Sequence, residues 1–258
     1  MISCLMVTQP GRIALARMAI ADFAAQTHCE RELLALHDGD DAFHNALEQA
    51  AAAHAAMIRV VRKPPGHTLG WLRNAAVAEA RGDFVCQWDD DDRYHPQRLA
   101  LQWQGLHDAN ADFCFLSDQL HWFPARAHMY WDDWDRESYP FNLVQGTLLG
   151  RRARMPSYPD HARGEDTDAL LQILRRGDSI ARLRNVGWCY VYVFHGANVW
   201  PSEHHAAISR VKSMGLVALL QRESTLRQRL TEYQPDFGAL CFPHETGSLD
   251  FCLRAHAD

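Results

Sequence analysis

The first 118 residues alternate short apolar runs with longer segments of helical spacing, and few folds accept that order. Residues 2–7 (ISCLMV) form a continuous apolar run of buried-strand type. Pro10-Gly11 breaks it, and residues 12–26 then place Ile13, Ala16, Ile20 and Phe23 near one helical face. Residues 32–37 read as a second strand stopped at Asp38-Gly39, the Ala-rich residues 42–56 as a helix, and 57–61 as a third strand. After Lys63-Pro64-Pro65-Gly66 the spacing predicts a helix over 70–81, closed by Gly82. Residues 84–88 (FVCQW) form a fourth strand, Pro96 opens a helix running to about His107, and 113–117 form a fifth strand. Strands apolar on both faces and separated by helices imply an α/β protein with a mainly parallel sheet covered on both sides. Right-handed crossovers bring the loops after the strands to one rim, where such sheets bind ligands. Asp38 and Asp89–Asp92 fall on that rim.

The second half is less regular. Residues 126–141 are aromatic and acidic without a clear period; 143–149 and 188–194 read as strands, 166–176 as a short helix, and 203–232 as helical. The tail from Tyr233 carries no readable pattern. A chain of 258 residues suits one large domain. Hydrophobic residues at 47% and charged residues at 22% exclude a disordered chain. Lys plus Arg number 26 against 32 Asp plus Glu, a net charge of −6, which argues against a nucleic-acid partner. Seven cysteines form no C-x-x-C pair, so they read as reduced thiols of a cytoplasmic protein. The N-terminus has no basic n-region, and no run approaches the ~20 apolar residues of a membrane span. Peripheral association with a membrane stays open.

Trp88-Asp89-Asp90-Asp91-Asp92-Arg93-Tyr94-His95-Pro96 is the strongest feature. Four adjacent carboxylates repel one another, and at the end of a buried strand they call for a cation or full solvation. Hard divalent ions take oxygen ligands and share them with substrate phosphates. A solvated acidic turn is the alternative. A calcium loop is excluded, because Tyr94 stands at its sixth position and Ala100 at its twelfth. Fifteen histidines include no zinc-ligand spacing, and His204-His205 read as helix-surface residues.

The order strand–Asp-x-Asp-Asp–x-x-x-Pro, from Asp89 to Pro96, resembles the DXD region of family 2 glycosyltransferases with the GT-A fold. Further matches follow in that family's order: Thr8 and Arg12 after the first strand, Asp38-Gly39 after the second, Leu72-Arg73-Asn74, Ala80-Arg81-Gly82, Gly164-Glu165-Asp166, and Tyr192-x-x-His195-Gly196-x-Asn198. The resemblance runs from residue 2 to about 200. It departs from the family at Gln9-Pro10-Gly11, at His37 in place of an Asp, and at Val193 in place of Arg. The Q-x-x-R-W motif of processive synthases is absent, which favours transfer of one sugar.

The resemblance implies a nucleotide-sugar-binding half (1–118), an acceptor and catalytic half (119–200) and a C-terminal helical extension (201–258). It implies that Thr8, Arg12, Asp38, Arg73, Asp89 and Asp90 surround a nucleoside-diphosphate sugar, and that Asp91 and His195 hold Mn2+ or Mg2+. Asp166 is the expected general base, with Glu165 beside it, and inversion the expected outcome. Trp131 and Trp134 are the candidate acceptor contacts, for a glycan, lipid-linked or small-molecule acceptor; ordinary core packing is the alternative for both. A nucleotidyltransferase or phosphohydrolase would also use aspartates and Mg2+, and a non-catalytic nucleotide-sugar-binding protein could retain the fold.

Overall fold

The structure is a computed structural model that describes residues 1–139, 141–244 and 247–252. The strand–helix repeat forms as the sequence demands: β1 (Ile2–Thr8), α1 (Ile13–Ala24), β2 (Arg31–His37), α2 (Asp41–Ala51), β3 (Ile58–Arg62), α3 (Leu69–Glu79) and β4 (Phe84–Gln87). The chain continues through the two-residue β5 (Arg93–Tyr94), α4 (Arg98–Asp108), β6 (Phe113–Leu116), β7 (Asp118–Phe123), β8 (His128–Asp133) and β9 (Val144–Arg151). It ends with α5 (Glu165–Arg175), β10 (Ile180–Leu183), β11 (Tyr190–Val193), α6 (Ser202–Lys212), α7 (Leu216–Leu220), α8 (Glu223–Leu230), β12 (Ala239–His244) and β13 (Gly247–Cys252).

Seven strands make the first sheet in the order β10-β6-β9-β4-β1-β2-β3. All of its pairings are parallel except those of β9, which runs antiparallel between β4 and β6. Its central strands are buried on both faces, as their unbroken apolar runs require: Ile2, Cys4, Met6, Leu33, Leu34, Ala35 and Leu36 are fully buried. The helices are set by local chemistry. Asp40 caps α2 by accepting from the Phe43 amide at 2.8 Å, and Phe43, Leu47 and Ala51, four apart, form its buried face. Thr68 caps α3 through the Trp71 amide at 3.2 Å. α3 docks closely: a Cβ on Gly70 would lie 1.8 Å from the Pro159 carbonyl oxygen.

Of a second sheet, β13-β12-β8-β7-β11-β5, the sequence pattern predicts only β11, within 188–194. Its β7–β8 hairpin includes residues without apparent period, because β7 and β8 bury polar side chains. Asp118, Gln119, His121 and Asp132 are each at most 2% exposed. The tail is also corrected: residues 203–232 divide into three helices, and β12–β13 is an antiparallel hairpin joined to β8, so 201–258 is not a purely helical extension. No described helix is long and apolar enough to cross a membrane.

One buried ion pair fixes the acidic turn to this frame. Asp22 of α1 accepts from Arg93 Nε at 2.8 Å, Arg93 Nη2 at 3.1 Å and the Tyr94 amide at 2.9 Å. Arg93 Nη2 also donates to the carbonyls of Gln234 and Pro235, between the rings of Tyr233 and Phe237. Removing one member of a buried pair strands the other charge. Asp22→Ala is therefore expected to cost about 3–5 kcal/mol of stability, read as a lowered urea midpoint.

Candidate active site

β4 ends at Gln87, and the four aspartates follow at the carboxyl edge of the sheet. Each meets a different partner. Asp89 accepts from Arg73 Nη2 and from Gln87 Nε2, both at 2.9 Å. Asp90 is buried and accepts from Thr8 Oγ1 and Arg12 Nη1, both at 2.6 Å. Asp91 Oδ2 lies 3.1 Å from His195 Nε2 and 3.2 Å from Arg12 Nη2. Asp92 is buried and accepts from the Tyr190 hydroxyl at 2.5 Å and the Val193 amide at 3.0 Å.

These environments separate four identical side chains electrostatically. Burial and the charge of Asp91 push Asp90 up to about 6, against the pull of Arg12. Burial, with Asp91 and Asp89, raises Asp92 well above the carboxylate range. Asp91 is also raised by burial, but His195 and Arg12 outweigh that and leave it below its ordinary value. Asp91 is thus held in its charged form. Beneath the turn, the fully buried Arg98 donates to the Gln87 carbonyl at 3.1 Å and lies among the rings of Trp88, Tyr94 and Tyr190.

Arg73 joins the turn to α5. Its Nε donates to Glu165 Oε1 at 2.8 Å while its Nη2 holds Asp89. Gly164 opens α5 at φ 78°, and Glu165, Asp166 and Asp168 occupy the first turn, where the helix dipole favours carboxylates. Ala169, Leu170 and Ile173 continue the buried face of α5 that starts at Glu165. Asp166 therefore reaches the same cavity as Asp89 and Asp91, a space of about 420 Å³. Burial and the Glu165 charge push Asp166 up to about 6, against Arg73.

Most of the residues singled out by sequence gather here. Arg12, Arg73, Asp89–Asp91, Glu165, Asp166 and Trp134 line the cavity. Thr8 stands behind Asp90, and Asp38 lies off the cavity wall, accepting from the Gly66 amide at 3.2 Å. His195 follows the end of β11, as its position in the sequence implies. Two placements are corrected. Trp131 is 1% exposed and donates to Asp118 Oδ2 at 2.8 Å, so it packs the core and has no face for an acceptor. His204 is exposed on α6 and lines the cavity, but His205 is fully buried. Tyr192 and Asn198 of the last matched motif line the cavity, as do Gln87, Tyr190, Phe141 and Trp200, which no motif marks. Gln87 and Tyr190 looked like strand residues, and nothing in their spacing marks them.

Among the described residues no three His, Cys, Asp or Glu side chains converge on one point as a self-sufficient metal site. The donors present suit an ion that completes its shell from substrate and water: a charged carboxylate, Asp91, beside an imidazole. An ion held through His195 Nε2 would put the ring proton on Nδ1, in place of the 3.3 Å bond from the Ala197 amide.

Residues 12–149 match the model of glycosyl transferase family 2, more than half of the chain. The chain belongs to that family. A sequence search of curated proteins finds no match. In structure, this glycosyltransferase is similar to S. aureus TarS residues 1–349 in complex with UDP, at TM-score 0.57 and 14% identity, covering 90% of this chain and 79% of that one. It is also similar to the mannosyltransferase PcManGT from Pyrobaculum calidifontis in complex with GDP-Man and Mn2+, at TM-score 0.58 and 14% identity, covering 91% and 72%. At such identity the likeness speaks for the fold, the GT-A arrangement of a mixed sheet flanked by helices.

Partnering separates Asp92 from Asp91 in their effects on stability. Asp92→Ala leaves the Tyr190 hydroxyl and the Val193 amide buried without acceptors, an expected loss of about 2–4 kcal/mol. Asp91→Asn keeps the side chain's shape and leaves Arg12 paired with Asp90, so its expected loss is smaller, about 1 kcal/mol. Thermal melting of the two variants checks the contrast.

Proposed function

We propose that this glycosyltransferase moves a single sugar from a nucleoside-diphosphate sugar to an acceptor hydroxyl with inversion, Asp166 acting as the general base. The observation that carries this reading is the Arg73 bridge, which holds Asp89 and Glu165 on one guanidinium and so sets Asp166 and Asp91 on a common cavity. A hydroxyl is a weak nucleophile, and a carboxylate that takes its proton in the transition state contributes about 10²–10⁴-fold. A base poised near 6 is largely ionised at neutral pH yet more basic than an exposed aspartate. Attack from the face opposite the leaving diphosphate needs no sugar-bound enzyme intermediate, and inversion follows.

Arg12 and Arg73 supply positive charge for the diphosphate, and Asp89 is the proposed contact for ribose or donor sugar. Asp90, fixed by Thr8 and Arg12, keeps that side of the turn in place. Asp38 is the proposed contact for the base. Mn2+ or Mg2+ would be held by Asp91 and His195 with diphosphate oxygens, and supplies charge stabilisation for the departing nucleoside diphosphate. Trp134 remains the proposed aromatic contact for the acceptor, its ring on the cavity and the Lys212 ammonium 4.4 Å from its centroid. TarS with UDP-GlcNAc and PcManGT with GDP-Man make those two nucleotide sugars the first donors to test.

Asp166→Asn is expected to keep donor affinity and to lower transfer by at least about 10²-fold. Near-normal transfer, or a product retaining the anomeric configuration, would overturn the mechanism. For the parent, kcat/KM is expected to rise with pH through about 6 as Asp166 loses its proton, and Asp166→Asn should flatten that limb. Asp91→Asn is expected to abolish the Mn2+-dependent part of nucleotide binding in calorimetry, with cooperative melting retained.

A further inference from the structure

Behind β11 a line of buried polar side chains runs from the second sheet to the cavity. Asp132 of β8, His121 of β7 and His205 of α6 are all fully buried. His121 Nδ1 is 3.1 Å from Asp132 Oδ2, His121 Nε2 is 3.0 Å from His205 Nδ1, and His205 Nε2 faces the Tyr192 hydroxyl at 3.5 Å. Ser209 Oγ lies 3.2 Å from Asp132 Oδ2 and 3.0 Å from His121 Nδ1. The Tyr192 ring stacks on both imidazoles, and Phe194 covers His205 from another side. Tyr192 lines the cavity, whereas His121, Asp132 and Ser209 do not.

The chemistry of the groups gives this line a direction. A carboxylate only accepts, so His121 carries its proton on Nδ1, and Ser209 donates to the same oxygen. With His121 in its neutral form that N–H is its only one, so its Nε2 accepts and His205 donates to it from Nδ1. Burial drops His205 to about 3, so it is neutral and, with its proton on Nδ1, its Nε2 is a lone pair. Burial and the carboxylates of Asp92, Asp91 and Asp166 push the Tyr192 phenol well up, so it keeps its proton and donates it inward. Both lone pairs of its oxygen are left for the cavity.

We propose that Tyr192 accepts a hydrogen bond from a substrate hydroxyl, and that Asp132, His121 and His205 are positioning residues that hold its oxygen in the accepting orientation. This rests on the glycosyltransferase reading above and adds a specificity contact to it. A hydroxyl fits, since it can donate to that oxygen; a phosphate oxygen cannot. Donor sugar and acceptor both carry hydroxyls, and the test separates them.

The experiment uses the full chain with Mn2+. Calorimetry compares UDP-GlcNAc with UDP and GDP-mannose with GDP for the parent, Tyr192→Phe, His205→Leu and the double variant, with melting curves to check folding. If a donor-sugar hydroxyl is bound, Tyr192→Phe weakens the nucleotide sugar by about 3–10-fold and leaves the bare nucleotide unchanged. If an acceptor hydroxyl is bound, donor affinity is unchanged and the acceptor KM rises by about 3–10-fold, with an acceptor drawn from a glycan and lipid-linked-glycan panel. In either case His205→Leu reproduces part of that loss, and the double variant is no worse than Tyr192→Phe, because the array acts only through that hydroxyl. Tyr192→Phe, which keeps the ring and its packing, decides the matter alone should His205→Leu fail to fold. Unchanged donor affinity together with unchanged acceptor KM in Tyr192→Phe overturns the contact, and additive losses in the double variant overturn the positioning role. A parent protein that binds neither nucleotide sugar overturns the donor reading itself, and this inference with it.

Discussion

Four adjacent carboxylates at the end of a buried strand are the constraint on which the rest of the structure depends. Their mutual repulsion must be relieved by partners brought from elsewhere in the chain. Arg12 comes from the loop after β1, Arg73 from α3, Tyr190 and the Val193 amide from β11, and His195 from the loop after it. Meeting these demands draws the second sheet against the edge of the first. The edge that carries the aspartate run is therefore also one of the main structural junctions of the protein.

The same arrangement grades the acidic run by depth. Asp92, deepest in its contacts, is held by an uncharged hydroxyl and an amide and favours its neutral form. Asp90 meets both Thr8 and a guanidinium and titrates near 6. Asp91 meets a guanidinium and an imidazole and stays charged. Identical residues thus acquire different chemical roles because burial and charge partners differ, while covalent structure does not. Arg98 beneath them, enclosed by three aromatic rings, contributes positive charge to the floor without reaching the cavity surface.

The cavity combines this acidic floor with an apolar lip. Phe141, Val199 and Trp200 line it and stay between 39% and 50% exposed, although large apolar side chains are usually covered. Trp200 is already stacked on His204, with the Arg163 guanidinium 5.4 Å from its ring.

Local pattern was enough for six of the first sheet's seven strands. The central ones are buried on both faces, so apolar runs, Gly-Pro breaks and caps mark them, whereas the half-buried edge strand β10 carries no such mark. The aspartate run, Arg73 and Glu165-Asp166 were legible because acidic and basic residues next to strand ends and helix starts stand out, and their family resemblance gave them an order. Tertiary structure alone decided the second sheet, since β7 and β8 bury Asp118, His121 and Asp132, and polar residues conceal a strand's inward face when their partners are distant in sequence. It also decided the fates of Trp131 and Trp134, three positions apart, one in the core and one on the cavity. The His121–His205 contact joins residues 84 positions apart, and no local rule measures that distance. What the sequence determined by itself was therefore the layered frame and the charged residues at its rim; which of those residues pair, ionise or face a substrate was decided by folding, because desolvation and charge pairing depend on distances through space.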